Sequence, residues 1–209
     1  AKTALFPVHL WLPPAHANAP AAASAVLSGL VVKGSFFIIL RLWFYILPAL
    51  PADKVAVVLG CLGSAAIVVG SVMALRQARL KLLIAYSTAA QIGYLFLVFP
   101  LATGAQAWSA LGWSAGLMQI LAHAFAKAAM FFSAGLLAEA LGHDQIAKLG
   151  GAARVLPLTF LTIALGGLSL VGLPPSGGFS AKWLMLQASI TSGQWLWTLP
   201  ILAGGLLAA

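Results

Sequence analysis

The sequence predicts an all-α, polytopic membrane protein: a transmembrane helical bundle of about six to seven spans with discontinuous helices. Three observations predict it. The 209 residues are 62% hydrophobic and only 7% charged, against about 25% charged in a soluble domain. So little charge cannot cover a water-facing surface, so the bilayer is the solvent. The apolar blocks run about 20 residues, the length that crosses a hydrocarbon core as helix, whereas a membrane β-barrel alternates over about 10 residues. Gly (21) and Pro (11) are frequent, as suits transmembrane helices.

Charge and cysteine usage exclude other classes. The net charge of +8 comes from 11 Lys and Arg, several inside apolar blocks, with no basic cluster interleaved with aromatics. Nucleic acid is therefore not expected as a partner. Cys61 is the single cysteine, which leaves no disulfide and no metal cluster; no cofactor or metal is expected. The chain opens mid-pattern at Ala1 and stops in an apolar stretch. Residues 1–209 are read as one partial transmembrane domain, an internal piece of a longer protein.

In order, residues 1–12 read as the end of a span, stopped by Pro13 and Pro14, before a loop through Pro20 carrying His16 and Asn18. A long helix is expected over 21–47, closed by Pro48 and Pro51, and a third span over 54–75. A basic turn, Arg76–Lys81, leads to a fourth span at 82–100. An uncharged connection at 102–107 precedes a fifth span at 111–141. The polar loop 142–154 holds His143, Asp144, Lys148 and Arg154. Residues 156–171 are apolar, Gly172-Leu-Pro174-Pro175-Ser-Gly-Gly178 interrupts, and 179–190 resumes. Two prolines after a glycine cannot continue an α-helix, and 179–190 is about 18 Å of helix, too short to cross alone. A broken helix, of the kind that marks transport sites, is expected there. Residues 194–209 begin a last span. The basic segments Arg76–Lys81 and Lys148–Arg154 lie two spans apart, share a side, and are expected to be cytoplasmic.

Several lysines sit where they are expensive. Lys33 and Lys127 lie in the middle of apolar helices and Lys182 directly follows the Pro/Gly break. An ammonium at the bilayer centre costs about 2.5–3.5 kcal/mol on insertion scales, so each needs a cavity, water or a partner. A lysine can release a proton when buried, which arginine cannot. His123 precedes Lys127 by four residues, on one helix face. Together they form a candidate proton wire. Lys54 and Lys81 lie near helix ends, where lysine snorkels to the interface. His9, His16 and Glu139 are read as structural or interfacial, and Lys2 as ambiguous on position alone.

Six segments carry a resemblance. Lys2-Thr-Ala-Leu-Phe-Pro7-Val-His9-Leu-Trp11-Leu-Pro13 resembles K-x-x-x-x-P-x-H-x-W-L-P, and Ala15-His16-Ala-Asn-Ala-Pro20 continues it. Leu30-Val-Val-Lys33-Gly, Lys81-Leu-Leu-Ile-Ala-Tyr86-Ser87-Thr-Ala-Ala-Gln91-Ile-Gly93-Tyr94 and His123-Ala-Phe-Ala-Lys127-Ala-Ala-Met-Phe-Phe-Ser-Ala-Gly135 follow. Gly172-Leu-Pro174-Pro175-Ser-Gly-Gly178-Phe179-Ser-Ala-Lys182 completes the series. In that order they resemble the antiporter-like membrane subunits of respiratory complex I, of Mrp cation/proton antiporters and of membrane-bound hydrogenases. The resemblance implies a fourteen-helix subunit of two inverted repeats, each with a broken helix. Pro7 and Pro13 would mark the first break, and Pro174 and Pro175 the second. It makes Lys2 the central lysine, paired with a glutamate upstream, Lys33 the connecting one and Lys182 the terminal one, with His123 and Lys127 between. Arg79, Leu82 and Pro14 depart from the pattern, outside the lysine row.

The function expected is proton translocation through Lys2, Lys33, His123, Lys127 and Lys182 with water. The chain would have no redox chemistry of its own and would work as a subunit of a redox-driven respiratory or hydrogenase-type complex. The expected partners are the other membrane subunits, the lipid bilayer and H⁺, with a bacterial inner membrane as the location. The alternatives are an Mrp-type Na⁺/H⁺ antiporter subunit and a scaffold whose lysines hold only interhelical hydrogen bonds.

Overall fold

In the computed structural model, which describes residues 1–46, 52–104 and 106–209, helices account for the architecture. The helices are α1 (Leu12–Asn18), α2 (Ala21–Ile46), α3 (Ala52–Leu75), α4 (Leu80–Ala102), α5 (Ser109–Leu141), α6 (Pro157–Val171), α7 (Gly177–Thr191) and α8 (Thr198–Ala208). Four of these, α2 to α5, are long and apolar enough to cross a membrane. The outer faces carry large exposed apolar side chains such as Phe125, Leu158 and Leu206, the surface that lipid covers.

The helix α4 is the axis of the bundle. Residues 88–102 are buried without interruption, and a helix apolar all round belongs inside. Against it α3 packs on glycine: a Cβ on Gly63 would stand 2.6 Å from the Gly93 carbonyl oxygen, and one on Gly70 would meet the Ala90 backbone. The long α5 receives α2 on one side, where Ala21 lies against Gly135 and Gly29 against Ala124 and Ala128. That order makes the two helices antiparallel. Along α5 also pack both α6 and α7.

The first expected element is corrected. Residues 1–11 form turns rather than the end of a span, and Pro13 and Pro14 sit in the opening of α1 instead of stopping a helix. Proline is tolerated in a first helical turn because its missing N–H would have no intrahelical partner there. The loop expected through Pro20 is therefore a short helix, with His16 on it. Pro48 and Pro51 lie outside the described residues.

The break between α6 and α7 stands where expected. Gly172 closes α6 at φ +86°, the left-handed conformation glycine adopts without strain. Ser176 then caps α7, its hydroxyl accepting from the Phe179 N–H at 3.1 Å. The two basic segments meet: Arg79 Nε donates to Asp144 at 2.9 Å, and the Leu80 N–H to the Asp144 carbonyl at 2.8 Å. At the other end the Gln194 amide donates to the Pro100 carbonyl at 3.1 Å, tying the connection after α7 to the last turn of α4.

Candidate functional site: a buried lysine and polar chain

Lys33, Lys127 and Lys182 are all buried, and Lys127 is 0% exposed. Each is held by groups that accept hydrogen bonds. In α2 a π-helical turn at Leu27–Val31 widens the helix just before Lys33, a distortion frequent at functional sites. There the Lys33 ammonium folds back onto the Ser28 carbonyl. The Ser28 hydroxyl lies 3.0 Å from the Thr88 hydroxyl across the α2–α4 contact, and Thr88 donates to the Ile84 carbonyl at 2.9 Å. That same carbonyl accepts from the Lys127 ammonium at 2.9 Å, which also donates to the Ser87 hydroxyl at 2.5 Å. A series of polar groups thus lies between Lys33 and Lys127 across three helices, with Ser28 giving its carbonyl to Lys33 and its hydroxyl to Thr88.

Lys182 lies one turn into α7 and donates to the last carbonyls of α6, Leu170 at 2.6 Å and Val171 at 2.9 Å. These are carbonyls that a helix end leaves without backbone donors, so the break itself supplies the lysine's ligands. Its ammonium also stands 4.7 Å over the Tyr94 ring, a cation–π contact. The Leu170 carbonyl accepts a second bond, from the Gln91 amide at 3.2 Å, and Gln91 accepts from Gln119 at 2.8 Å. A cavity of about 230 Å³ opens between the two lysine sites, with Ser87, Gln91, Met130 and Leu170 on its walls.

Histidine completes the set. His123 is 2% exposed and neither ring nitrogen meets a partner among the described residues. His16, read from the sequence as structural, is 0% exposed, stacks on Phe131 with centroids 4.4 Å apart, and also leaves both nitrogens unpartnered. Buried polar groups without protein partners are normally satisfied by water.

The structure brings together four of the five expected relay residues. Lys2 is exposed and lies outside the buried series, among the turns around Pro7. Lys54 and Glu139 are exposed, as helix-end groups should be. Lys81 donates to the Ala19 carbonyl at the end of α1, a structural bond. Sequence reasoning missed Ser28, Ser87, Thr88, Gln91 and Gln119. A hydroxyl or an amide in an apolar run gives a weak signal, and only the packing shows what it meets. The amides had the better signal, since Gln91 and Gln119 each stand inside an otherwise apolar block.

The likeness to known proteins covers the whole arrangement. The family model described as "NADH:quinone oxidoreductase/Mrp antiporter, TM" matches residues 1–207. The chain is 34% identical over 209 residues to the NADH-quinone oxidoreductase subunit N of Desulforudis audaxviator, covering 100% of this chain and 40% of that one. It is 32% identical over 208 residues to the hydrogenase-4 component F homolog of Methylacidiphilum infernorum, covering 100% and 42%. Its fold matches a chain in the Mrp complex of Dietzia sp. with a TM-score of 0.89 at 28% identity, covering 99% of this chain and 37% of that chain. It spans about two fifths of the length of these proteins. The chain is thus a multi-pass integral membrane protein belonging to the NADH:quinone oxidoreductase/Mrp antiporter transmembrane family.

Proposed function

We propose that this chain carries protons along Lys33, Lys127, His123 and Lys182, with Lys2 near the first break as the remaining lysine of the row. It would do so as a subunit of a redox-driven respiratory or hydrogenase-type complex. The observation that carries this reading is the Ile84 carbonyl, which ties the Thr88 hydroxyl, and through it Ser28 and Lys33, to Lys127.

The chemistry follows from the groups present. Lys33 bonds the Ser28 carbonyl rather than its hydroxyl, and Thr88 donates its own proton to the Ile84 carbonyl, so Ser28 and Thr88 hold the polar path in place and the proton itself would move on neighbouring water. A carbonyl only accepts, so Ile84 fixes the ammonium in place and the hand-over to Lys127 runs through neighbouring water. Like charges in a low-dielectric interior repel. A proton arriving on Lys33 therefore raises the cost of keeping one on Lys127 and pushes it toward His123 and Lys182. Proton entry and exit would lie at opposite ends of the bundle, with the side holding Arg79, Asp144 and Lys148 facing the cytoplasm of a bacterial inner membrane. H⁺, lipid and the other membrane subunits are the partners this reading requires.

The test uses membrane vesicles containing the intact parent complex, with protons moved per redox turnover as the readout. Lys127→Met is expected to remove most of this subunit's contribution to that ratio, because a series conducts no better than its worst step. Thr88→Val keeps the shape of the site, removes one hydroxyl and is expected to lower the ratio less. If both variants move as many protons per turnover as the natural protein, the lysines are scaffold and the relay is wrong.

A further inference from the structure

The two glutamines between His123 and Lys182 form a hydrogen-bonded pair with a fixed direction. The Leu170 carbonyl can only accept, so Gln91 must present its NH₂ to it. Its oxygen then faces Gln119, which must donate through its own NH₂ at 2.8 Å. That leaves the Gln119 Oε1 atom buried and without a partner among the described residues. Gln119, His123 and Lys127 follow one another at four-residue spacing on α5, hence on one face. His123, one turn on, has two buried nitrogens without partners. The pair's free acceptor and the unpartnered His123 nitrogens therefore belong to residues one turn apart on one face of α5, and the pair's donor end shares the Leu170 carbonyl with Lys182.

An amide does not gain or lose a proton near neutral pH, so this pair is no stretch of proton wire. We propose that Gln91 and Gln119 are positioning residues: a polarised amide pair that couples the charge state of His123 to that of Lys182 without passing a proton, leaving the proton itself to cavity water beside Ser87. The coupling has a simple physical basis. A charged Lys182 grips the Leu170 carbonyl and competes there with the Gln91 amide. A charged imidazole, directly or through one water, is favoured by the Gln119 oxygen, whose acceptor strength rises when the pair's far bond is made, since hydrogen bonds in a chain polarise one another. The inference rests on the lysine reading above and adds the connection between its last two members. The other titratable groups around the pair are Lys33 on α2, Lys127 on α5, Tyr94 on α4 beneath Lys182, and His16 on α1.

The experiment follows the Lys182 ammonium by ¹⁵N-lysine NMR as pH is varied, on the full-length subunit in lipid nanodiscs, with its signal assigned by loss in Lys182→Met. In the natural background, His123→Gln is expected to move the Lys182 midpoint by about 0.5 pH unit or more, roughly a threefold change in proton affinity. In a Gln91→Met background the same His123→Gln change is expected to move it by less than a third of that. Gln119→Met gives an independent break of the same pair should Gln91→Met fail to fold. An equal shift with and without the amide pair would overturn the proposal, showing that the coupling runs through space or water. No shift from His123→Gln in the natural background would also overturn it. A Lys182 signal that never titrates would instead count against the relay reading itself.

Discussion

Lys127 is 0% exposed, and burying an ammonium that far from water is tolerated only with good acceptors around it. Its two partners, the Ile84 carbonyl and the Ser87 hydroxyl, come from a helix more than 35 residues earlier in the chain, so no reading of local sequence could supply them. The lysines themselves were legible because an ammonium in an apolar helix has few innocent explanations. Ser28, Thr88 and Gln91 were not, because a hydroxyl or an amide in such a helix is cheap and common until its neighbour is known. The segment around His16 was misread for a related reason: prolines on both sides suggested a loop, whereas the chain there forms a helix that inserts the ring against Phe131. Asp144 shows the opposite case. Its ion pair with Arg79 joins a largely buried carboxylate to a half-exposed guanidinium, and a pair with one partner in solvent is worth about 0.2–1 kcal/mol. Asp144→Asn should therefore lower thermal stability by no more than that, with the difference shrinking as salt is raised in the melting buffer, because the backbone bond from Leu80 to Asp144 remains.

Among the elements, α4 decides most. Its burial on every side from residue 88 to 102 was hidden in the sequence, since hydropathy marks a span but not its place in a bundle. The Tyr94, Gln91 and Thr88 side chains owe their importance to that central position. Close approach to α3 depends on Gly93, where an added Cβ would stand 2.8 Å from Ile67 Cγ1 and 2.9 Å from the Ile67 nitrogen. Backbone cannot move aside as a flexible side chain can, so Gly93→Ala is expected to destabilise the bundle by about 1–3 kcal/mol, read as a lower melting temperature in detergent. The break at Gly172 was the most legible element, because Pro174, Pro175 and the flanking glycines leave no helical alternative. What the sequence did not reveal is that the break's purpose is served by its carbonyls: Leu170 and Val171 end α6 without backbone donors and become the ligands of Lys182.

For the whole molecule, the charge pattern of the loops already divided the two sides of the bundle, and the contacts agree. The basic turn and the polar loop meet through Arg79 and Asp144, while the uncharged connection after α7 meets the far end of α4 through Gln194 and Pro100. Between those sides lie the buried lysines Lys33, Lys127 and Lys182, along which transport is proposed. That transport is the central claim. The measurement that tests it most directly is proton uptake by vesicles containing the full parent complex, normalised to electron turnover, for Lys33→Ala and Lys182→Ala at the two ends. The account predicts that each substitution alone removes most of this subunit's contribution to the protons moved per turnover, since a series conducts no better than its worst step. Unchanged proton uptake in both variants, with redox turnover intact, would contradict it.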